Sequence, residues 1–289
     1  MWNNVSGSGR ETTKGHSVKL GSGSTVTILP KVLAKASTVR IPTIQGTIDR
    51  RILANFRVDP DVLAKILPSP FRPQTVAGFG IAGICLIRLK HIRPKGFPAG
   101  LGISSENAAH RIAVEWDAGG ELRSGVYIPR RDTSSMLNAW AGGRIFPGVH
   151  HRASFDVHES ETNFRIEMSS LDESAHVLVD GQIATSLAPN SVFASVAEAS
   201  QFFAAGSLGY SPAGGQREFD GLELRTFDWR VEPLQVTHVE STFFDDRDVF
   251  PPGIVEFDNA LLMRGIEHEW HSREPLCCEP EQRRTKVGS

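Results

Sequence analysis

The stretch GTIDRRILANFRVDPDVLAKILPSPF, residues 46–71, decides the fold class of this chain of 289 residues. Its first half, residues 46–58, keeps isoleucine, alanine and phenylalanine on one face of an alternating pattern, together with one arginine, and predicts a strand. Its second half predicts a short amphipathic helix, because Asp59 can cap it, Pro60 suits its first position and Pro68 ends it. A strand followed by a capped helix therefore begins the domain.

Strand-like segments continue along the rest of the chain. Residues 75–92 predict a long buried strand, and the glycines at 119–120 predict the turn of a hairpin. Short helices are predicted at 134–143 and after the capping box of Ser195 and Glu198. About ten strands and three short helices predict a mainly β (α+β) domain with an antiparallel sheet that is closed or nearly closed.

The charge composition of the chain indicates which kinds of partner it can bind. The chain has 31 basic and 33 acidic residues, a net charge of −2 and no long run of either sign, so we expect no nucleic-acid or membrane-surface partner. No segment approaches the roughly 18 to 20 apolar residues of a membrane span, and the N-terminus lacks the apolar stretch of a signal peptide. The three cysteines suggest no disulfide framework, which favours a cytoplasmic protein.

Three regions are predicted from these patterns. Residues 1–45 are rich in small polar residues at their start and predict a flexible N-terminal arm. Residues 46–272 hold the predicted β domain. Residues 273–289 are polar, end in a basic run and predict a disordered tail.

The stretch WAGGRIFPGVHHRASF, residues 140–155, carries adjacent histidines after a glycine- and proline-rich turn. His150 and His151 would point to opposite faces of an extended segment, so at most one would enter an interior cavity. That imidazole could serve as an acid, a base or a ligand contact. Two histidines at the start of a surface strand explain the pattern equally simply.

Other polar residues have a functional and a structural interpretation. Arg130, Arg131 and Arg144 could form a cationic patch for a carboxylate, or an ordinary network of ion pairs. Glu106 lies in a predicted loop, where solvation alone explains it. Cys85 lies in an apolar run, which predicts a buried core thiol. The histidines of HEWH, residues 268–271, are three apart in a predicted strand, so no metal site is predicted.

The order of several segments resembles the acetoacetate decarboxylase superfamily, and within it the uncharacterised YqjF-like or DUF2071 branch. The resemblance covers roughly residues 47–270 and is carried by RRILANFRVDPDVLAKILPSPF, GLGISSENAAHRIAVEW, AGGRIFPGVHHRASF, PLQVTHVESTFF and FPPGIVEFDNALLMRGIEHEW. It implies a closed β-cone or double sheet around an internal cavity, often in a homo-oligomer. In the decarboxylases, a buried lysine forms a Schiff base with the oxo acid.

The resemblance also implies positions for the residues that hold the substrate. The loop glutamate of the family matches Glu106, and the arginine before its first strand matches Arg50 or Arg51. The arginine of the family's Gly-Arg-Glu turn matches Arg144, but Ile145 follows here in place of the glutamate. The expected carboxylate clamp is therefore one or more of these arginines.

At the position of the family's catalytic lysine, this chain has a different residue. The position of that lysine and that of its lysine neighbour fall at His150 and His151, and the chain has no lysine between Lys95 and Lys286. Because imidazole cannot form the iminium that drives Schiff-base decarboxylation, classical acetoacetate decarboxylase activity is not expected.

Three hypotheses follow. In the first, the chain is a lyase or isomerase of a small oxo acid, with His150 or His151 and Glu106 in acid–base roles and an arginine clamp formed by Arg50, Arg51 or Arg144. In the second, it binds an oxo acid or an apolar carbonyl compound without turnover. In the third, side chains fill the cavity and the protein is structural. None of the three requires a cofactor.

Overall fold

Thirteen β-strands and two α-helices make up most of the residues that the structure describes, which are 42–136, 148–213 and 218–277 of a computed structural model. The strands are β1 (Ile44–Val58), β2 (Arg72–Pro73), β3 (Thr75–Val76), β4 (Phe79–Pro94), β5 (Ile103–Ala118), β6 (Glu121–Thr133), β7 (His150–Glu159), β8 (Asn163–Ser170), β9 (His176–Ile183), β10 (Leu208–Pro212), β11 (Glu218–Thr226), β12 (Glu232–Ser241) and β13 (Val255–Cys277). The helices are α1 (Pro60–Ile66) and α2 (Val196–Ala205), with a short 3₁₀ turn at Ala99–Leu101.

Five neighbouring strands form the shared part of the sheet, in the order β13, β1, β4, β5 and β6. Each outer strand of this group pairs with two further strands. On one side β6 pairs with β10 and with β7, and on the other β13 pairs with β11 and with β12. Because β10 pairs with β11, and β7 leads through β8 and β9 to β12, the sheet closes on itself twice.

The prediction of a mainly β chain is confirmed, because one mixed sheet holds most of the described residues. The sheet is not wholly antiparallel, because β6 runs parallel to both β7 and β10. The sheet divides at β6 between these two parallel pairings, and at β13 between two antiparallel ones.

The local signals of the sequence explain the helices and the hairpin. The Asp59 carboxylate accepts a hydrogen bond from the backbone N–H of Asp61 at 2.8 Å and caps α1. Ser195 Oγ accepts from the N–H of Glu198 at 3.1 Å and so caps α2 as predicted. Glu198 Oε2 accepts from the N–H of Ala194, one residue before the position that a capping box would use. The hairpin between β5 and β6 turns at residues 119–120, where both glycines have positive φ.

The two faces of the five shared strands are covered by different elements. One face carries Ile52 and is called the back face here; β7, β8, β9 and β12 pack against it. On the face that carries Leu53, called the front face, Phe203 of α2 and Leu222 of β11 complete a second core. Alternation along each strand therefore assigns neighbouring residues to two separate interiors.

The boundaries of the domain can be compared with the described residues. β1 begins at Ile44, and β13 continues to Cys277, since its residues 273–277 pair with β11 beyond the limit expected at 272. Most of the expected arm, most of the expected helix at 134–143 and the remainder of the expected tail lie outside the described residues. No helix within the described ranges is long and apolar enough to cross a membrane.

Candidate ligand cavity

A cavity of about 130 Å³ lies against the front face of the shared strands. Most of its wall is apolar and comes from β4, β5, β6, β11, α2 and two tryptophan side chains. The apolar lining includes Ile87, Leu89, Val126, Ile128, Phe203, Leu222, Leu224, Trp229 and Trp270. Small side chains leave the space open, and Ala109 lies in the wall directly between Cys85 and Arg131 in the strand register.

Three arginines, called the cavity arginines here, bring charge into this apolar wall: Arg51, Arg111 and Arg131. Arg51 Nε donates to Cys85 Sγ at 3.3 Å, and Arg131 Nε donates to Ser211 Oγ at 3.0 Å. Arg111 donates to Asn55 Oδ1. Within the described part of the chain, none of the three forms an ion pair with a carboxylate, and the acidic residue of the described lining, Asp132, pairs with Arg130 instead.

Arg111 is the most deeply buried of the cavity arginines. Its side chain is only 7% exposed, its guanidinium lies 4.9 Å from the centre of the Phe203 ring, and its Nε has no hydrogen-bond partner. Burial lowers the pKa of Arg111 to about 10, with Arg51 contributing, and burial also lowers the pKa of Arg131 to about 10. Both guanidiniums are still protonated at neutral pH, which makes the cavity cationic.

His150 is the titratable group that the alternation of β7 places in the cavity. It follows Gly148, whose φ of +84° and closeness to Ser211 leave no room for a side chain. His150 Nδ1 lies 3.3 Å from the carbonyl oxygen of Gly148. Burial, reinforced by Arg131, lowers the pKa of His150 to about 3, so its imidazole is neutral at physiological pH.

His151 faces away from the cavity wall, as expected for a neighbour of His150 in a strand. Its Nδ1 lies 3.0 Å from Asp172 Oδ2 at the surface. The structure therefore places only the first of the two predicted histidines beside the cavity arginines.

Glu106 and Arg50 meet on the back face, in a group of charged side chains called the ion network here. Arg50 donates to Glu106 at 2.6 Å and to Glu159 at 2.9 Å. Arg88 donates to Glu106 at 2.6 Å and also bonds Glu159. The network consists of Asp49, Arg50, Arg88, Lys90, Glu106 and Glu159.

This arrangement divides the candidate residues that the sequence suggested. Arg51, Arg131 and His150 line the cavity, whereas Arg50 and Glu106 lie in the ion network. Arg144 lies outside the described residues.

Lysine does not contribute to the cavity wall within the described residues. Lys65 is exposed on α1, Lys90 Nζ pairs with Asp49 at 2.8 Å, and Lys95 Nζ pairs with Glu269 at 2.7 Å. In the same ranges, no group of three histidine, cysteine or acidic side chains is arranged to hold a metal ion. The polar groups that line the cavity are guanidinium, imidazole, amide, thiol, the hydroxyl of Ser207 and the carboxylate of Asp132, which pairs with Arg130.

Two residues of the cavity were not predicted to act there. The prediction that Cys85 is a buried core thiol is confirmed, and its sulfur also accepts a hydrogen bond from Arg51 in the cavity wall. Arg111 was not singled out, although a charged residue within the apolar run AHRIAVEW was a usable signal. In a strand with both faces buried, such a charge needs either a partner or a cavity.

The chain is similar to known proteins in its sequence and in its fold. A family model described as DUF2071, an uncharacterized conserved protein, matches residues 46–258. No curated protein matches the chain significantly.

Several solved structures share the fold at low identity. Acetoacetate decarboxylase from Legionella pneumophila superposes with a TM-score of 0.52 at 9% identity, over 82% of this chain and 87% of that one. An acetoacetate decarboxylase-like enzyme from Sphingomonas wittichii RW1 gives 0.51 at 12% identity, over 89% and 100%. The enduracididine biosynthesis enzyme MppR, in complex with pyruvate, gives 0.50 at 12% identity, over 84% and 93%. At these low identities, the superpositions show a common fold and nothing further.

Proposed function

Because the chain belongs to the DUF2071 family and has the acetoacetate decarboxylase-like fold, we propose that its cavity binds a small oxo acid with an apolar chain. The observation that carries the proposal is a set of three arginines that form no ion pair with a carboxylate among the described residues, in a cavity whose wall is mostly apolar. Guanidinium groups are suited to a carboxylate, and the apolar wall suits a short hydrocarbon chain. Pyruvate in the MppR complex is a ligand of this chemical class on the same fold.

Uncompensated buried charge supports a ligand of opposite sign. A guanidinium in an apolar wall loses hydration, and this cost is offset when an anion enters and accepts hydrogen bonds. Arg111 Nε is buried without a partner, so it has an N–H available for such an anion. The bound carboxylate would therefore lie beside the guanidiniums of Arg111 and Arg131, with its chain directed toward the tryptophans.

His150 would act in this site as a neutral hydrogen-bonding group. A base whose conjugate acid has a pKa of about 3 withdraws protons weakly at neutral pH, so a role as general base is disfavoured. Imine chemistry is not part of the proposal, because no described lysine lines the cavity. The predicted acid–base partnership with Glu106 is not part of it either, because Glu106 is engaged by Arg50 and Arg88.

Calorimetric titration with hexanoate, 2-oxohexanoate and hexanamide tests the proposal on the purified full-length chain. Both acids should bind saturably, and the neutral amide should bind much more weakly because it lacks the charge that the arginines compensate. Equal binding of the amide and the acids, or no saturable binding of either acid, would contradict the proposal.

Native mass spectrometry provides a second test. A retained acid, and no borohydride-trapped adduct with acetoacetate, is the expected result. A trapped adduct would instead show that a lysine forms an imine. The homo-oligomer and the cytoplasmic location expected from the sequence stay predictions, and sedimentation velocity would test the first.

A further inference from the structure

Cys85 places a thiol, a nucleophilic group, in the wall of the cavity. It is 8% exposed, and its sulfur accepts a hydrogen bond from Arg51 Nε at 3.3 Å. In the strand register Cys85 lies opposite Ala109, which in turn lies opposite Arg131. The small alanine therefore leaves the thiol and the Arg131 guanidinium on either side of an open space.

Arg111 provides an independent indication that a ligand reaches this part of the wall. Its side chain is more than nine-tenths buried, and its Nε hydrogen has no acceptor. The rest of its guanidinium is fixed by Asn55 and by the ring of Phe203. Buried donors are normally satisfied, so an acceptor brought by a ligand is the simplest partner for this N–H.

We propose that Cys85 is a reversible covalent anchor for the oxo carbon of the bound acid. This inference rests on the proposed function, since it requires the acid to enter the cavity. The thiol sulfur forms a bond to the oxo carbon, the π bond of the C=O group breaks, and the thiol proton ends on the former carbonyl oxygen. The product is a thiohemiketal, and no oxidant, reductant or cofactor is consumed.

The arrangement of the cavity arginines suits this addition. With the carboxylate beside Arg111 and Arg131, the neighbouring oxo carbon of a 2-oxo acid lies on the side of Cys85. Arg51 already donates to the sulfur, so its guanidinium is placed to donate to the oxygen on which negative charge develops. In this chain a thiol would thus bind the carbonyl carbon covalently, as the Schiff-base lysine does in the decarboxylases.

The test uses 2-oxohexanoate labelled with carbon-13 at the oxo carbon, bound to the full-length protein and observed by nuclear magnetic resonance. In the wild type, the bound label should move from the carbonyl region to the tetrahedral region. In Cys85→Ala, and in Cys85→Ser as a second variant that keeps the side-chain size, the bound label should stay in the carbonyl region. Cys278→Ala is the matched control and should keep the tetrahedral signal.

The outcomes separate the anchor from the binding site. A bound label that stays trigonal in the wild type, or one that is tetrahedral in both Cys85 variants, overturns the anchor while the proposed function stands. Absence of any bound label overturns both. We also expect 2-oxohexanoate to bind the wild type about tenfold more tightly than hexanoate, and this preference should largely disappear in the Cys85 variants.

Discussion

Arg50 and Arg51 are adjacent in the sequence, yet they lie in opposite electrostatic surroundings, because consecutive residues of a strand face opposite sides of a sheet. On the back face, Arg50 is held by the carboxylates of Glu106 and Glu159 at 2.6 and 2.9 Å. On the front face, Arg51 donates to the sulfur atoms of Cys85 and Met263. The same residue type is therefore charge-compensated on one face and not on the other.

This difference distinguishes a structural role from a binding role. A buried arginine with carboxylate partners joins strands, and removing it leaves carboxylates without their counter-charge. A buried arginine that has only neutral partners weakens the folded state by its own desolvation, so its presence indicates a ligand. The ion network and the cavity arginines should accordingly respond to substitution in opposite ways.

The largest expected effect is on stability, from Arg50→Met. Arg50 is 2% exposed, and its removal leaves Glu106 and Glu159 with Arg88 as their main counter-charge. We expect the free energy of unfolding to fall by about 2–4 kcal/mol, measured by urea denaturation at neutral pH. Arg51→Met is the matched control and should change it by about 1 kcal/mol or less. A comparable loss in both variants would remove the distinction between the faces.

Arg131→Met should show the reverse behaviour, with a large effect on binding and a small one on stability. Loss of a charged hydrogen-bond donor should weaken hexanoate binding by about 10- to 100-fold, measured by calorimetry. The free energy of unfolding should stay within about 1 kcal/mol of the wild type, because no ion pair is broken. Arg152→Met, at an exposed arginine of β7, is the control that should bind hexanoate normally. Equal losses of affinity in both variants would indicate a nonspecific charge effect.

Much of the fold could be predicted from local signals. The Asp59 cap, the Ser195 cap and the glycine turn at 119–120 act within a few residues, so the sequence alone indicates them. The double closure could not be predicted in this way. It depends on β6 and β13 each pairing with two strands along one edge, and strand pairing over long sequence separations leaves no local pattern.

The site was only partly predictable for the same reason. Alternation allowed at most one of His150 and His151 to enter the cavity, and which of them does depends on which face of β7 meets it. Glu106 and Arg50 looked like binding residues, but whether an arginine has a carboxylate partner depends on distant strands. Glu159, which completes that pairing, is 109 residues from Arg50. Charge compensation, which separates the two arginine groups, is therefore a tertiary property.

A smaller effect concerns pH and the two histidines. The pKa of His150 is lowered to about 3 in the folded protein, mainly by burial, against about 6.5 when unfolded. Above pH 6.5 the imidazole is neutral in both states, so no stability is lost. As the pH falls from 6.5 toward 3, the unfolded state binds the proton first and stability decreases, by at most about 1.4 kcal/mol per pH unit.

His150→Gln should therefore reduce the loss of stability between pH 6.5 and pH 5, measured by urea denaturation at several pH values. Part of the loss should remain, because burial also lowers the pKa of His110 and of His268. His151→Gln is the matched control, because His151 lies at the surface beside Asp172. A variant of His150 with the same pH slope as the wild type would show that this imidazole is not shielded by the cavity wall.

The smallest expected effect concerns the rate at which alkylating reagents modify Cys85. A comparison with a free thiol in solution tests whether the charge of the cavity attracts small anions. An electropositive cavity concentrates small anions. The ratio of the alkylation rate with iodoacetate to that with neutral iodoacetamide should therefore be about three- to tenfold higher at Cys85 than in glutathione. Peptide mass mapping locates the label, and Arg131→Met should reduce the preference while Arg152→Met leaves it unchanged. Added salt should also reduce it, because screening weakens the attraction. A rate ratio equal to that of glutathione would mean that protein or solvent anions already compensate the cavity arginines, and the contrast with the ion network would then be one of geometry rather than of charge.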